Sequence, residues 1–129
     1  MSTWSVTIPF TTPPLVYALE IPPEVDQLEA LDRAEWGRRF VEIAKRETAP
    51  ALKERIGGWK GSVAAMAVRS MSLRKFCVEM IRRYNAARPS ATLSIPEAFA
   101  EHPDFVVAEF QKRGLLARVG KCCTTEEVI

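Results

Sequence analysis

Seven cations crowd one stretch of this chain: Lys60, Arg69, Arg74, Lys75, Arg82, Arg83 and Arg88 face the single acid Glu79 between residues 59 and 88. The flanks, 1–58 and 89–129, are each net −2, and the whole chain carries only +2. Guanidinium groups grip phosphate or carboxylate through paired N–H donors and read shape rather than sequence. The cluster therefore points to one face turned toward phosphate or an acidic protein neighbour, or to a solvated helix face. Lys112, Arg113, Arg118 and Lys121 extend it.

The other reactive side chains carry less. Thiol–disulfide chemistry needs two thiols at a spacing such as Cys-x-x-Cys, and none exists here. Cys77 falls on the apolar stripe of a helix, where it packs. The adjacent pair Cys122-Cys123 is poorly spaced for a tetrahedral zinc site. His102 is the one histidine and has no local nucleophile or carboxylate to orient it, so His102-Pro103 reads as a turn element. Trp4, Trp36 and Trp59 read as packing anchors before base-stacking groups. No catalytic residue, metal site or cofactor is expected.

The elements that position these groups follow from periodicity. Val6, Ile8 and Phe10, then Leu15, Tyr17, Leu19 and Ile21, alternate as strands do, but Pro9, Pro13, Pro14, Pro22 and Pro23 argue against a central strand. A proline-bounded extended arm or edge hairpin is expected, lying along a neighbour. Val25, Leu28, Leu31, Phe40 and Ile43 predict a helix over about 24–48, interrupted at Pro50, with Gly57-Gly58 as the boundary between an N-terminal extension (1–58) and a second unit (59–129). The apolar run Ser62–Val68, flanked by glycines, is read as a strand. Ser72 caps a helix whose Leu73, Phe76, Cys77, Met80, Ile81 and Tyr84 recur at three and four and which ends near Arg88. Ala91–Ile95, Phe105–Phe110 and Leu115–Val119 are read as further short strands, and Thr124 with Glu127 as a capping box. The fold class expected is α/β, with a mixed sheet of about four strands.

At 129 residues and 47% hydrophobic the chain is long enough for one real core. No apolar run approaches the roughly 20 residues that span a bilayer. The N-terminus lacks a secretory layout, and its first cation is Arg33. Three cysteines make no disulfide framework, which suggests a reducing compartment.

Residues 62–129 resemble a thioredoxin-like domain family shared by certain mitochondrial ribosomal proteins and a small accessory subunit of respiratory complex I. The resemblance rests on Ser72-Leu73-Arg74-Lys75-Phe76, Arg88-Pro89 where the family usually has Asn-Pro, His102-Pro103, Val107-Ala108-Glu109-Phe110, Gly114 and Thr124–Val128. It implies a non-catalytic structural subunit of the mitochondrial large ribosomal subunit, on the matrix side. The basic helix would then face rRNA, and residues 1–58 would touch neighbouring proteins. The complex I member is the alternative, although its first strand usually carries a cysteine and Ser62–Val68 has none. A winged-helix DNA-binding module is a further reading: helices 72–87 and 95–102, a recognition helix 103–113 and a wing from Gly114. Phe105, Val106, Val107 and Phe110 leave that recognition helix poor in base-reading side chains.

Overall fold

The computed structural model describes residues 1–88 and 90–119. Strands β1 (Ser2–Ile8) and β2 (Leu15–Ile21) form an antiparallel hairpin in register from Ser2↔Ile21 to Ile8↔Leu15. The alternation seen in the sequence is real: Ser2, Trp4, Val6 and Ile8 point inward, with Leu15, Leu19 and Ile21 beside them. The prolines sit outside the paired stretches, in the connecting loop and after Ile21, so they cost the ladder nothing.

Two single turns, α1 (Pro23–Asp26) and α2 (Leu28–Leu31), lead into the long helix α3 (Arg33–Ile56). Asp32 caps α3, its side chain accepting from the Glu35 amide at 3.2 Å. Pro50 does not interrupt α3. It is exposed, so the carbonyl it leaves unbonded faces water, while its neighbours Ala49 and Leu52 are buried and hold the helix to the core. Gly57 and Gly58 adopt positive φ (76° and 61°) and turn the chain back into α4 (Gly58–Ser70).

The α/β thioredoxin-like expectation is overturned here. Ser62–Val68 is helical, not a strand. Its Ala64-Ala65-Met66-Ala67 stretch favours helix, and Gly61, Ala65 and Val68 are buried at four and three spacing against α3. Next, α5 (Leu73–Ala87) matches its expected bounds and cap, with the Ser72 hydroxyl accepting from the Lys75 amide at 3.1 Å. Ala91–Ile95 is a 3₁₀ turn (Ala91–Leu93) and an anchor rather than a strand. The Asn85 carboxamide accepts from the Ile95 amide and donates to its carbonyl, both at 2.9 Å, replacing a strand neighbour. After a second 3₁₀ segment (Glu97–Glu101), Phe105–Phe110 also proves helical, within α6 (Pro103–Lys112). Pro103 opens α6, where a missing N–H is harmless, and Val106, Val107 and Phe110 are buried on one face.

Of the strands expected in residues 59–129, only Leu115–Val119 is found, as β3 (Leu116–Val119), and it pairs antiparallel with β1 from Thr3↔Val119 to Val6↔Leu116. Among the described residues the sheet has three antiparallel strands in the order β2-β1-β3, and no parallel crossover. The segment expected as an appended arm therefore supplies the sheet's central strand. One face of the sheet packs on α3, where Trp4, Trp36 and Phe40 meet ring against ring (4.9 Å for Trp4–Phe40, 5.5 Å for Trp36–Phe40). Core residues on both sides of Gly57–Gly58 form one cluster. Pro89, Lys121, Cys122-Cys123 and the Thr124–Val128 capping box lie outside the described residues.

Candidate docking surface on the α3–α4 hairpin

The seven cations singled out above do not form one free face. On α5, Glu79 sits one turn from both Lys75 (3.1 Å) and Arg83 (3.4 Å), and their pull holds its carboxyl below the usual range, with the Lys75 hydrogen bond foremost. Arg74 reaches across to Glu101 at 2.5 Å, and Arg82 to Glu97 at 3.2 Å. These bridges pin the 97–101 turn against α5. Arg83 also lies over the Phe10 ring, 4.9 Å from its centroid. Four of the seven are thus engaged within the molecule, which leaves Lys60, Arg69 and Arg88 without an ion pair among the described residues. Arg88 stands apart at the end of α5.

Of the additional cations, the three among the described residues, Lys112, Arg113 and Arg118, are engaged as well. Lys112 and Arg113 both pair with Glu109, whose carboxyl is held down chiefly by the Arg113 hydrogen bond. Arg118 pairs with Glu29 and lies over the Trp4 ring at 4.7 Å. In the first turns of α3, Arg38 and Arg39 hold the Glu35 carboxyl at about 2. Among the described residues eleven of the seventeen Lys and Arg side chains take part in an ion pair.

Five of the remaining six lie on the α3–α4 hairpin, and Arg88 is the sixth. Lys45, Lys53 and Arg55 on α3, with Lys60 and Arg69 on α4, make no ion pair among the described residues. Lys45 and Arg55 instead donate to the backbone carbonyls of Arg69 (3.1 Å) and Pro13 (2.6 Å). Helix α4 contains no acid at all. It packs closely on α3, with Gly61 over the Lys53 carbonyl. Its outward side is apolar: Trp59 is 72% exposed, Val63 56% and Met66 61%. These three recur at four and three, so they form a ridge along the side away from Gly61, Ala65 and Val68. Lys60 leans over the Trp59 ring at 5.8 Å.

Lys53, Arg55, Val63 and Met66 were not among the residues expected to matter. A strand over Ser62–Val68 would have split Val63 from Met66 between two faces; only the helical period puts them beside Trp59. The absence of acid across residues 58–70 was the visible signal.

Beside the hairpin, two clefts share Phe10 and Arg83. One, of about 410 Å³, is lined by the Pro9–Pro14 loop and Ala86-Ala87, and the other, of about 120 Å³, lies against Ile56, Ala64 and Met71. Neither gathers nucleophiles or acid–base groups. His102 is exposed beside the Phe105 ring (5.1 Å). Cys77 is buried, and burial pushes its thiol up to about 12, far from a reactive thiolate. Among the described residues no three His, Cys, Asp or Glu side chains come together as metal ligands would, and no helix is long and apolar enough to cross a membrane. No protein-family model, no curated protein and no solved structure matches this chain.

Proposed function

We propose that this chain is a non-catalytic subunit that docks a negatively charged macromolecular partner on its α3–α4 hairpin. One observation carries the reading. Cations are paired within the molecule on α5, α6 and the start of α3, while the hairpin holds five without an ion pair among the described residues, beside an exposed apolar ridge. Exposed charge without an ion-pair partner, as at Lys53, Lys60 and Arg69, is available to steer and register a complementary surface. Burial of Trp59 and Met66 would supply the affinity.

The ribosomal and complex I expectations came with a thioredoxin-like sheet that the fold lacks, so they now rest on no feature of the fold. The DNA-binding alternative gains nothing either. Both cations late in α6 are taken by Glu109, and the strand after Gly114 closes onto β1.

The test is sedimentation of the tagged protein from gently lysed native cells. Wild-type protein is expected to run with a large assembly, and a variant carrying Lys53→Glu, Lys60→Glu and Arg69→Glu is expected to run free. Comigration with mitochondrial rRNA or with NADH dehydrogenase activity would identify that assembly as a ribosome or complex I. Wild-type protein sedimenting alone would overturn the reading.

A further inference from the structure

We infer that the hairpin's partner is an amphipathic helix of another protein, laid along α4 with its apolar stripe on Trp59, Val63 and Met66 and its acids toward Lys60 and Arg69. This rests on the docking reading above and specifies its occupant.

The shape of α4 comes first. Its thirteen residues span about 20 Å, and its ridge is bordered by the small residues Ser62, Ala67 and Ser70. Large side chains beside small ones make ridges and grooves into which a second helix packs. Helix α4 already packs this way on its other side, where Gly61 lets it approach the α3 backbone. A helix set against the ridge would make α4 the middle of three layers, with both faces covered.

Charge then selects the partner. Lys60 and Arg69 flank the ridge on opposite sides, about 180° apart around the helix at 100° per residue. A second copy of this chain fits badly: α4 carries no acid, so in either orientation a paired α4 would bring only further cations to the flanks of the seam. Like charges at a helix seam disfavour pairing. Acids beside the incoming stripe satisfy both flanks. A phosphate backbone would answer the cations but leave Val63 and Met66 exposed, and phosphate contacts alone use no apolar ridge. A bilayer would answer both charge and apolarity but has no use for the small-residue grooves beside the ridge.

The experiment uses the full chain and exploits its tryptophans. Trp59 is exposed, whereas Trp4 and Trp36 are fully buried, so a change in acrylamide quenching reports on the ridge. The probe is a tryptophan-free, covalently stapled helix about as long as α4, with leucines at heptad spacing and flanking glutamates. A second peptide replaces the glutamates with lysines. The glutamate peptide is expected to protect Trp59 from quenching, shift its emission to the blue and saturate, while the lysine peptide does neither. Met66→Glu, at an exposed position, should weaken binding about tenfold or more with an unchanged melting curve. Lys60→Glu with Arg69→Glu should exchange the preference between the two peptides.

Equal response to both peptides, or to neither, overturns the proposal. So does protection by phosphatidylglycerol vesicles or polyuridylate without protection by the glutamate peptide, which would assign the ridge to a membrane or to RNA. In the gradient, Met66→Glu protein that stays in the assembly would refute the helix partner and leave the docking reading standing. Wild-type protein running free would refute both.

Discussion

Gly37 of α3 lies directly against the backbone of Asp104, in the first turn of α6. A methyl group there would have to displace main chain rather than a flexible side chain. Gly37→Ala should therefore destabilise the fold by about 2–3 kcal/mol, at the upper end of overpacking costs. Gly61→Ala, aimed at the Lys53 carbonyl 2.6 Å away, should act in the same direction by loosening α4 from α3. Urea unfolding curves check both, and a midpoint unchanged in Gly37→Ala would mean the α3–α6 approach is looser than described.

Alkaline pH should unfold the protein in a defined window. Burial pushes the Cys77 thiol up to about 12, and burial also raises the Tyr17 phenol, whose hydroxyl lies 2.9 Å from the Ala44 carbonyl and 2.8 Å from the Thr48 hydroxyl. Both stay protonated when folded at pH values where the unfolded chain ionises them, near 9.0 and 10.0. The stability they contribute is complete below about pH 9 and declines as pH rises toward about 12. Urea midpoints measured across that range should fall, and the slope should flatten in a Tyr17→Phe, Cys77→Ala double variant. In the same series, peptide-resolved alkylation at about pH 8 should leave Cys77 unlabelled until the chain unfolds.

Arg113 ties the turn after α5 to the end of α6. Its side chain is 17% exposed, pairs with Glu109, donates to the Leu93 carbonyl through Nε (3.3 Å) and a terminal nitrogen (3.2 Å), and lies 5.5 Å from the Tyr84 ring. Arg113→Ala is expected to cost about 1.5–3 kcal/mol, the range for hydrogen bonds to a charged group, and to speed amide exchange at residues 91–95. Arg82→Ala breaks only a bridge between half-exposed partners and should cost less than about 1 kcal/mol. Equal costs would show that the Leu93 contacts contribute nothing.

Charge reversal on the hairpin should separate stability from binding. Lys60 and Arg69 make no ion pair among the described residues, so Lys60→Glu and Arg69→Glu should shift stability by no more than about 0.5 kcal/mol. A larger loss in the melt would mean these side chains serve the fold.

Helix α5 was legible because everything local agreed: a serine cap, apolar residues at three and four, and a proline two residues past its end. The parity of β1 and β2 was legible too, but not their place in the sheet. Nothing local to Ser2–Ile8 reveals that β3 pairs along its other edge. Helices α4 and α6 were misread because a short apolar run has no period of its own. Their identity comes from the surfaces they pack on, Gly61 over Lys53 and Gly37 under Asp104. The basic cluster was half legible. Glu79 lies four residues from Lys75 and from Arg83, a spacing that announces a helical ion pair, while Glu97 and Glu101 reach Arg82 and Arg74 only through the fold.

Strand β3 closes onto β1 from the far end of the described chain, and that imposes an order of events on a ribosome. The β1–β2 hairpin emerges first and can zip at once, because its contacts are local. Its other edge must then wait, unpaired, while helices α3 to α6 are synthesised. An unpaired edge is a template for any other strand nearby, and contacts this distant in sequence form slowly. The nascent protein is therefore most exposed to mispairing just before Leu116–Val119 leaves the exit tunnel. Truncation ahead of Leu116 should yield a chain that aggregates through β1, even with every helix intact.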